Sequence, residues 1–143
     1  MTEEFKPLPV GSRRNKGQPM SDQAIEQEIQ AKGLTAPRVT PADIEANIAS
    51  EHYFTAADGV VVVRWSEYMQ SGVPDNSVVP DALRLLTFCV LVLRNGFTVT
   101  GESACASPEN FDADLERKIA RQNAVNKVWP LMGYELRSKL AKQ

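Results

Sequence analysis

The chain has 143 residues, of which 43% are hydrophobic and 24% charged, and its formal net charge is −2. That length supports one domain with one core, and the near-balance of charge favours neither nucleic acid nor an anionic membrane as a bulk partner. The longest apolar run, Leu85–Leu93, is interrupted by Thr87 and is far too short to span a bilayer, and the opening Met1-Thr-Glu-Glu-Phe5 has no signal-peptide pattern.

Residues 1–19 are rich in Pro, Gly and polar side chains, with Arg13, Arg14 and Lys16 clustered. This composition suits a flexible arm or extension, and residues 20–143 are expected to form a single α+β domain. Ser21 or Asp22 is placed to cap a helix running to Lys32, with Gly33 ending it. Its apolar content is thin, which invites a partner. Thr40-Pro41-Ala42-Asp43 opens a second helix, with Thr40 as cap and Pro41 at the first helical position, finishing near Ser50.

His52–Thr55 and Val60–Trp65 flank Ala57-Asp58-Gly59 and read as a first hairpin, with Phe54 facing Val63 and His52 facing Trp65. Ser66–Gly72 reads as a helical turn or two, followed by a loop to Asp81. The second hairpin turns at Asn95-Gly96, a dipeptide suited to the positive φ that a type I′ turn requires. Placing Arg94 opposite Phe97 sets Cys89 against Glu102 and Val90 against Gly101. The strand before the turn is apolar on both faces and is expected at the centre of a sheet of about four strands. Gly101 marks a bulge or a close approach by another group.

Ser107-Pro108 or Asn110 begins the last helix, with Asp112, Asp114 and Glu116 where the helix dipole favours negative charge. At about 100° per residue, Phe111, Leu115, Val125 and Trp129 share one side, and Lys118, Gln122 and Asn126 run through its middle as a polar seam. Such a seam bonds to sheet backbone, lines a subunit interface or contacts a ligand. Pro130 is expected to kink or break the helix. The fold expected is thus α+β: a small antiparallel sheet of two hairpins covered by a long C-terminal helix, with two N-terminal helices.

Signals for chemistry are sparse. With two cysteines, Cys89 and Cys105, and one histidine, a zinc site of the common kind is excluded, no cofactor is implied, and both thiols read as free. His52 has no nucleophile beside it in sequence, so no catalytic residue is assigned. The small residues of Gly101–Ser107 precede a helix start whose N–H groups suit an anion. Arg117 and Arg121, with Lys118, form a basic ridge. The candidate ligand-binding set is Glu102, Ser103, Asn110, Arg117 and Arg121.

The run Asn95–Asp112, with its Gly101-Glu-Ser-Ala-Cys105 segment, and the helix Arg117–Trp129 leading into Pro130 resemble a small family of tailed-phage proteins. That family is named after gene product forty-nine of coliphage N-four and gene sixty-six of Shigella phage Sf-six. The likeness covers about Thr40–Leu140. It implies an accessory phage or prophage protein acting in the host cytoplasm, and it implies no activity. The expectation is therefore a non-enzymatic binding protein whose partner is a host protein or a small nucleotide-like anion, a candidate counter-defence factor. Nucleic-acid binding through the Arg13–Lys16 arm and the Arg117/Arg121 ridge is the alternative, against which the net charge of −2 argues. The polar first helix and the seam also put a homodimer among the expectations.

Overall fold

The computed structural model describes residues 21–143. The expected arm over residues 1–19 lies outside them. Helix α1, Asp22–Ala31, is capped by Ser21, whose Oγ accepts from the Ala24 N–H (3.1 Å). It belongs to a unit ending at Pro37. A second compact unit spans residues 38–143.

That unit begins with α2, Pro41–Asn47, and its start is fixed by a reciprocal pair of bonds. Thr40 Oγ1 accepts from the Asp43 N–H (3.1 Å), while Asp43 Oδ2 accepts from the Thr40 N–H (2.9 Å). Two donors with no partner inside the helix are satisfied at once. Strand β1, Ile48–Thr55, follows directly.

The same spelling then recurs. Thr55-Ala56-Ala57-Asp58 closes an identical capping box and launches α3, Ala56–Ser71, which ends at Gly72 with φ +71°. The first hairpin expected from sequence therefore does not exist. Asp58-Gly59 is the first turn of a helix, and the β-branched run Val60–Val63 is helical. Phe54 lies against Phe88 instead of Val63, their rings stacked 5.5 Å apart, and His52 is opposite Val90 instead of Trp65.

After a 3₁₀ turn at Asp81–Leu85 come β2, Leu86–Leu93, and β3, Thr98–Ala104. The sheet has three antiparallel strands in the order β1-β2-β3, with β2 central as its two apolar faces demand. The turn differs from expectation by one residue. Gly96 N–H donates to Leu93 O and Leu93 N–H to Phe97 O, and only Gly96 has positive φ (+86°). The loop is therefore Arg94-Asn95-Gly96 rather than Asn95-Gly96 alone, a type I turn closed by a glycine bulge. Arg94 is drawn out of the ladder by α2: its N–H donates to Asn47 O (2.9 Å) and its Nε to Ala46 O.

One residue of slip reverses every side chain of β3 relative to β2. Cys89 now faces Gly101, and Leu91 faces Val99. Thr87, Cys89, Leu91 and Leu93 share the buried face with Val99, Gly101 and Ser103, and Glu102 is turned to the other side.

Helix α4, Ala113–Leu140, crosses that buried face and runs unbroken through Pro130. Its inner side is Glu116, Ala120, Ala124 and Val128, spaced four apart, with Val125. The small side chains let its backbone rest on Gly101, where a Cβ would lie 2.1 Å from Ala120 O. The close approach anticipated at Gly101 is thus the helix itself. Ile44 from α2 completes the core.

Candidate functional site

Four arrangements on this frame hold the residues singled out from sequence. The first is buried. Ser103 Oγ donates to Glu116 Oε2 beneath the first turns of α4, and Thr87 lies beside Ser103 in the register. Glu116 and Thr87 are only 5% and 3% exposed, and Thr87 Oγ1 has no hydrogen-bond partner. Ser103, expected at a ligand, instead fastens β3 to α4. Glu116, expected only as a charge that the helix dipole favours, enters the core.

The second arrangement joins three elements through one guanidinium. Arg121 donates from Nη1 and Nη2 to the two oxygens of Glu45 on α2 (3.1 and 2.8 Å) and from Nε to Glu51 on β1 (2.8 Å). The planar fork suits two carboxylates. These bonds hold the Glu45 carboxyl below the usual carboxylate range and raise the Arg121 guanidinium further. One turn away, the Arg117 guanidinium sits 5.7 Å from the centroid of the Tyr53 ring, within reach of a cation–π contact. Burial, then the neighbouring Cys89 and Glu51, pushes the Tyr53 phenol up to about 12, and burial raises the Cys89 thiol.

The third is the approach to α4. Asp112 Oδ1 accepts from the N–H groups of Asp114 (3.0 Å) and Leu115 (3.1 Å), so the chain's own carboxylate fills the anion position expected there. Asn110 ends an exposed 3₁₀ turn, Pro108–Asn110, and Cys105 Sγ donates to Ser107 O (3.2 Å). Both cysteines are free, as expected. Glu102, on the opposite side of β3 from Ser103, has its carbonyl bonded by Asn123 Nδ2 (2.7 Å), with Lys127 Nζ 3.8 Å from its carboxylate. The five candidate residues are therefore spread over two sheet faces and a loop.

The fourth is the outer side of α4. Lys118, Gln122 and Asn126 are exposed, and Gln122 Nε2 donates to Asn126 Oδ1 (2.9 Å). The polar seam is not buried, because Ala120, Ala124 and Val128 face the sheet and turn the large side chains outward. Leu115 and Ile119 stand exposed beside it. Together the five make a mixed apolar and polar stripe along one helix.

His52 Nε2 lies 3.0 Å from Ser50 Oγ, both on β1. The two side chains have the makings of a nucleophile and base pair, but among the described residues no carboxylate bonds the ring to orient it. Among the same residues no group of three or more His, Cys, Asp or Glu is placed to hold a metal ion. No helix among them is long and apolar enough to cross a membrane.

The family model for phage proteins of the N4 Gp49/phage Sf6 gene 66 type matches residues 39–140, from the cap of α2 to the end of α4. The chain belongs to this phage protein family. The resemblance read from the Gly101–Cys105 segment and the helix into Trp129-Pro130 is borne out, and the matched span carries the whole sheet together with the helix that covers it. No curated protein and no solved structure matches the chain.

Proposed function

We propose that this phage protein is a non-enzymatic accessory factor that acts in the host cytoplasm by binding a host protein, as a candidate counter-defence factor. The observation that carries this reading is the outer stripe of α4. Leu115 and Ile119 are exposed amid Lys118, Gln122 and Asn126, the mixture of apolar anchors and polar groups found on non-obligate interfaces. The polar groups that chemistry would need are engaged elsewhere: Arg121 by two carboxylates, Ser103 by Glu116, and the helix start by Asp112. Of the basic ridge, a small nucleotide anion would be left with Arg117 and Lys118, and Arg117 is already over the Tyr53 ring.

The test is affinity capture from infected host cells, followed by binding of the purified captured protein. Capture by the wild-type chain, lost in Leu115→Glu/Ile119→Glu, supports the reading. Capture that survives this pair of changes sinks the assignment of the surface. Titration calorimetry against cyclic and ADP-ribose-type nucleotides runs beside it, and heat that vanishes in Arg117→Ala would replace the protein partner with a nucleotide.

A further inference from the structure

Helix α3 is the least covered of the unit's three α-helices. Over its 16 residues only Ala57 is buried and only Gly59, Val60 and Arg64 with the opening Ala56 are half-covered. A helix of this length is marginal without a packed face. Yet its solvent side is apolar. Val61, Val62, Trp65, Tyr68 and Met69 recur at the one-, four-, seven- and eight-residue spacing of one helical face, and Trp65 and Met69 are 63% and 66% exposed. The Trp65 and Tyr68 rings lean together 5.9 Å apart. Val73 and Val78, in the loop beyond, are more exposed still.

We propose that this surface is where a second copy of the same chain docks, α3 against α3 across a two-fold axis. Three features point to a copy of itself. The five stripe residues carry no charge, and the one charged residue on the same side of α3, Asp58, sits in the first turn with its carboxylate accepting from the Thr55 N–H, so the centre of the stripe meets its own image without burying a charge. The cation of α3 itself, Arg64, is already held by Asp75 (3.3 Å) and donates to Ser77 O, which keeps it off the contact and pins the loop carrying Val73 and Val78 beside the helix. The exposed area of these seven residues is also on the order of the 800 Å² per partner that a standard specific interface buries. A monomer seldom leaves so much apolar side chain exposed on one helix and the loop that follows it. Ridges of side chains four apart pack well on an identical helix, and the Trp65–Tyr68 pair supplies the aromatic centre on which such interfaces depend. This surface lies on a different helix from the α4 stripe, so the dimer would present two copies of that stripe to a host partner.

The test uses the full chain. Sedimentation velocity and native mass spectrometry at micromolar concentration are expected to show a dimer. Trp65→Glu/Met69→Glu is expected to weaken it by at least about a hundredfold, the effect of losing two central contacts. Leu115→Glu/Ile119→Glu is expected to leave it intact. Hydrogen exchange on the unaltered chain at two concentrations removes any doubt about misfolding of the variant, since residues 61–69 should gain protection as the dimer fills. A monomer at all concentrations overturns the proposal. So does a dimer that survives the α3 changes, or concentration-independent protection of α3, which would mean that another part of the same chain covers it.

Discussion

Gly101 on β3 lies directly beneath the carbonyl of Ala120 on α4. A methyl group there would sit 2.1 Å from that oxygen, 2.3 Å from Ala124 N and 2.9 Å from Ala124 Cα. All three are backbone atoms of a 28-residue helix, so the clash cannot be relieved by turning a side chain. Gly101→Ala is expected to destabilise the protein by about 3 kcal/mol, at or above the upper end for overpacked cores. Urea denaturation of the two proteins measures it, and a loss under 1 kcal/mol would show that the helix rides higher on the sheet.

This contact also explains what could be read from the sequence. The glycine announced itself as an oddity within a strand, and the central apolar strand and the Asn95-Gly96 reversal were equally plain. The inner face of α4 was hidden because alanine carries little hydrophobic weight. The regular spacing of the larger Phe111, Leu115 and Trp129 marks the opposite arc. The register was hidden for a different reason: Arg94 leaves the ladder to bond α2, a contact 47 positions away in the chain for Asn47 and Arg94 to make only after folding. The Thr55–Asp58 cap was fully legible. It spells the same box as Thr40–Asp43, and the valine run after it obscured the helix.

The two boxes allow a paired test. Thr40→Ala and Thr55→Ala each remove one side-chain acceptor from a helix start, and each is expected to cost about 1 kcal/mol. Thermal melts of the single and double variants should show near-additive losses, because the boxes serve different helices. If Thr55→Ala alone leaves the melting temperature unmoved, α3 is held by contacts other than its cap.

Thr87 and Glu116 should respond in opposite directions. Thr87→Val removes a buried hydroxyl that has no partner and keeps the side-chain shape, so it is expected to stabilise by about 1 kcal/mol. Glu116→Ala removes the acceptor of the Ser103 hydroxyl, and is expected to destabilise by about 2 kcal/mol. Denaturant midpoints distinguish them. Equal losses would mean that Thr87 has a bonding partner after all.

The Arg121 clamp gives the protein an acid sensitivity. Arg121 depresses the pKa of Glu45 in the folded state, so the clamp's contribution is complete above the unfolded carboxylate value of about 4.3 and is lost as pH falls through the lower folded value. Both carboxylates are substantially exposed, so screening keeps the effect modest. Melting temperatures from pH 7 down to 3 should fall more steeply for the wild-type chain than for Arg121→Met. Parallel curves would remove the clamp as the cause.

Tyr53 provides the alkaline counterpart. Burial favours the neutral phenol, the neighbouring Cys89 and Glu51 add to this, and the hydroxyl bonds the Glu51 carboxylate (3.3 Å), so ionisation is postponed to about 12. With an unfolded value near 10, the folded pKa is the higher one. The stabilisation from this group is therefore whole below about pH 10 and disappears as pH climbs toward 12. A tyrosinate absorbance titration of the native chain should contain a component near pH 12 that is missing from Tyr53→Phe. The variant should also lose less stability than the wild type between pH 10 and 12. A high-pH component that persists in Tyr53→Phe would assign it to another tyrosine, and would separate Tyr53 from the Glu51 and Cys89 surroundings that account for the shift.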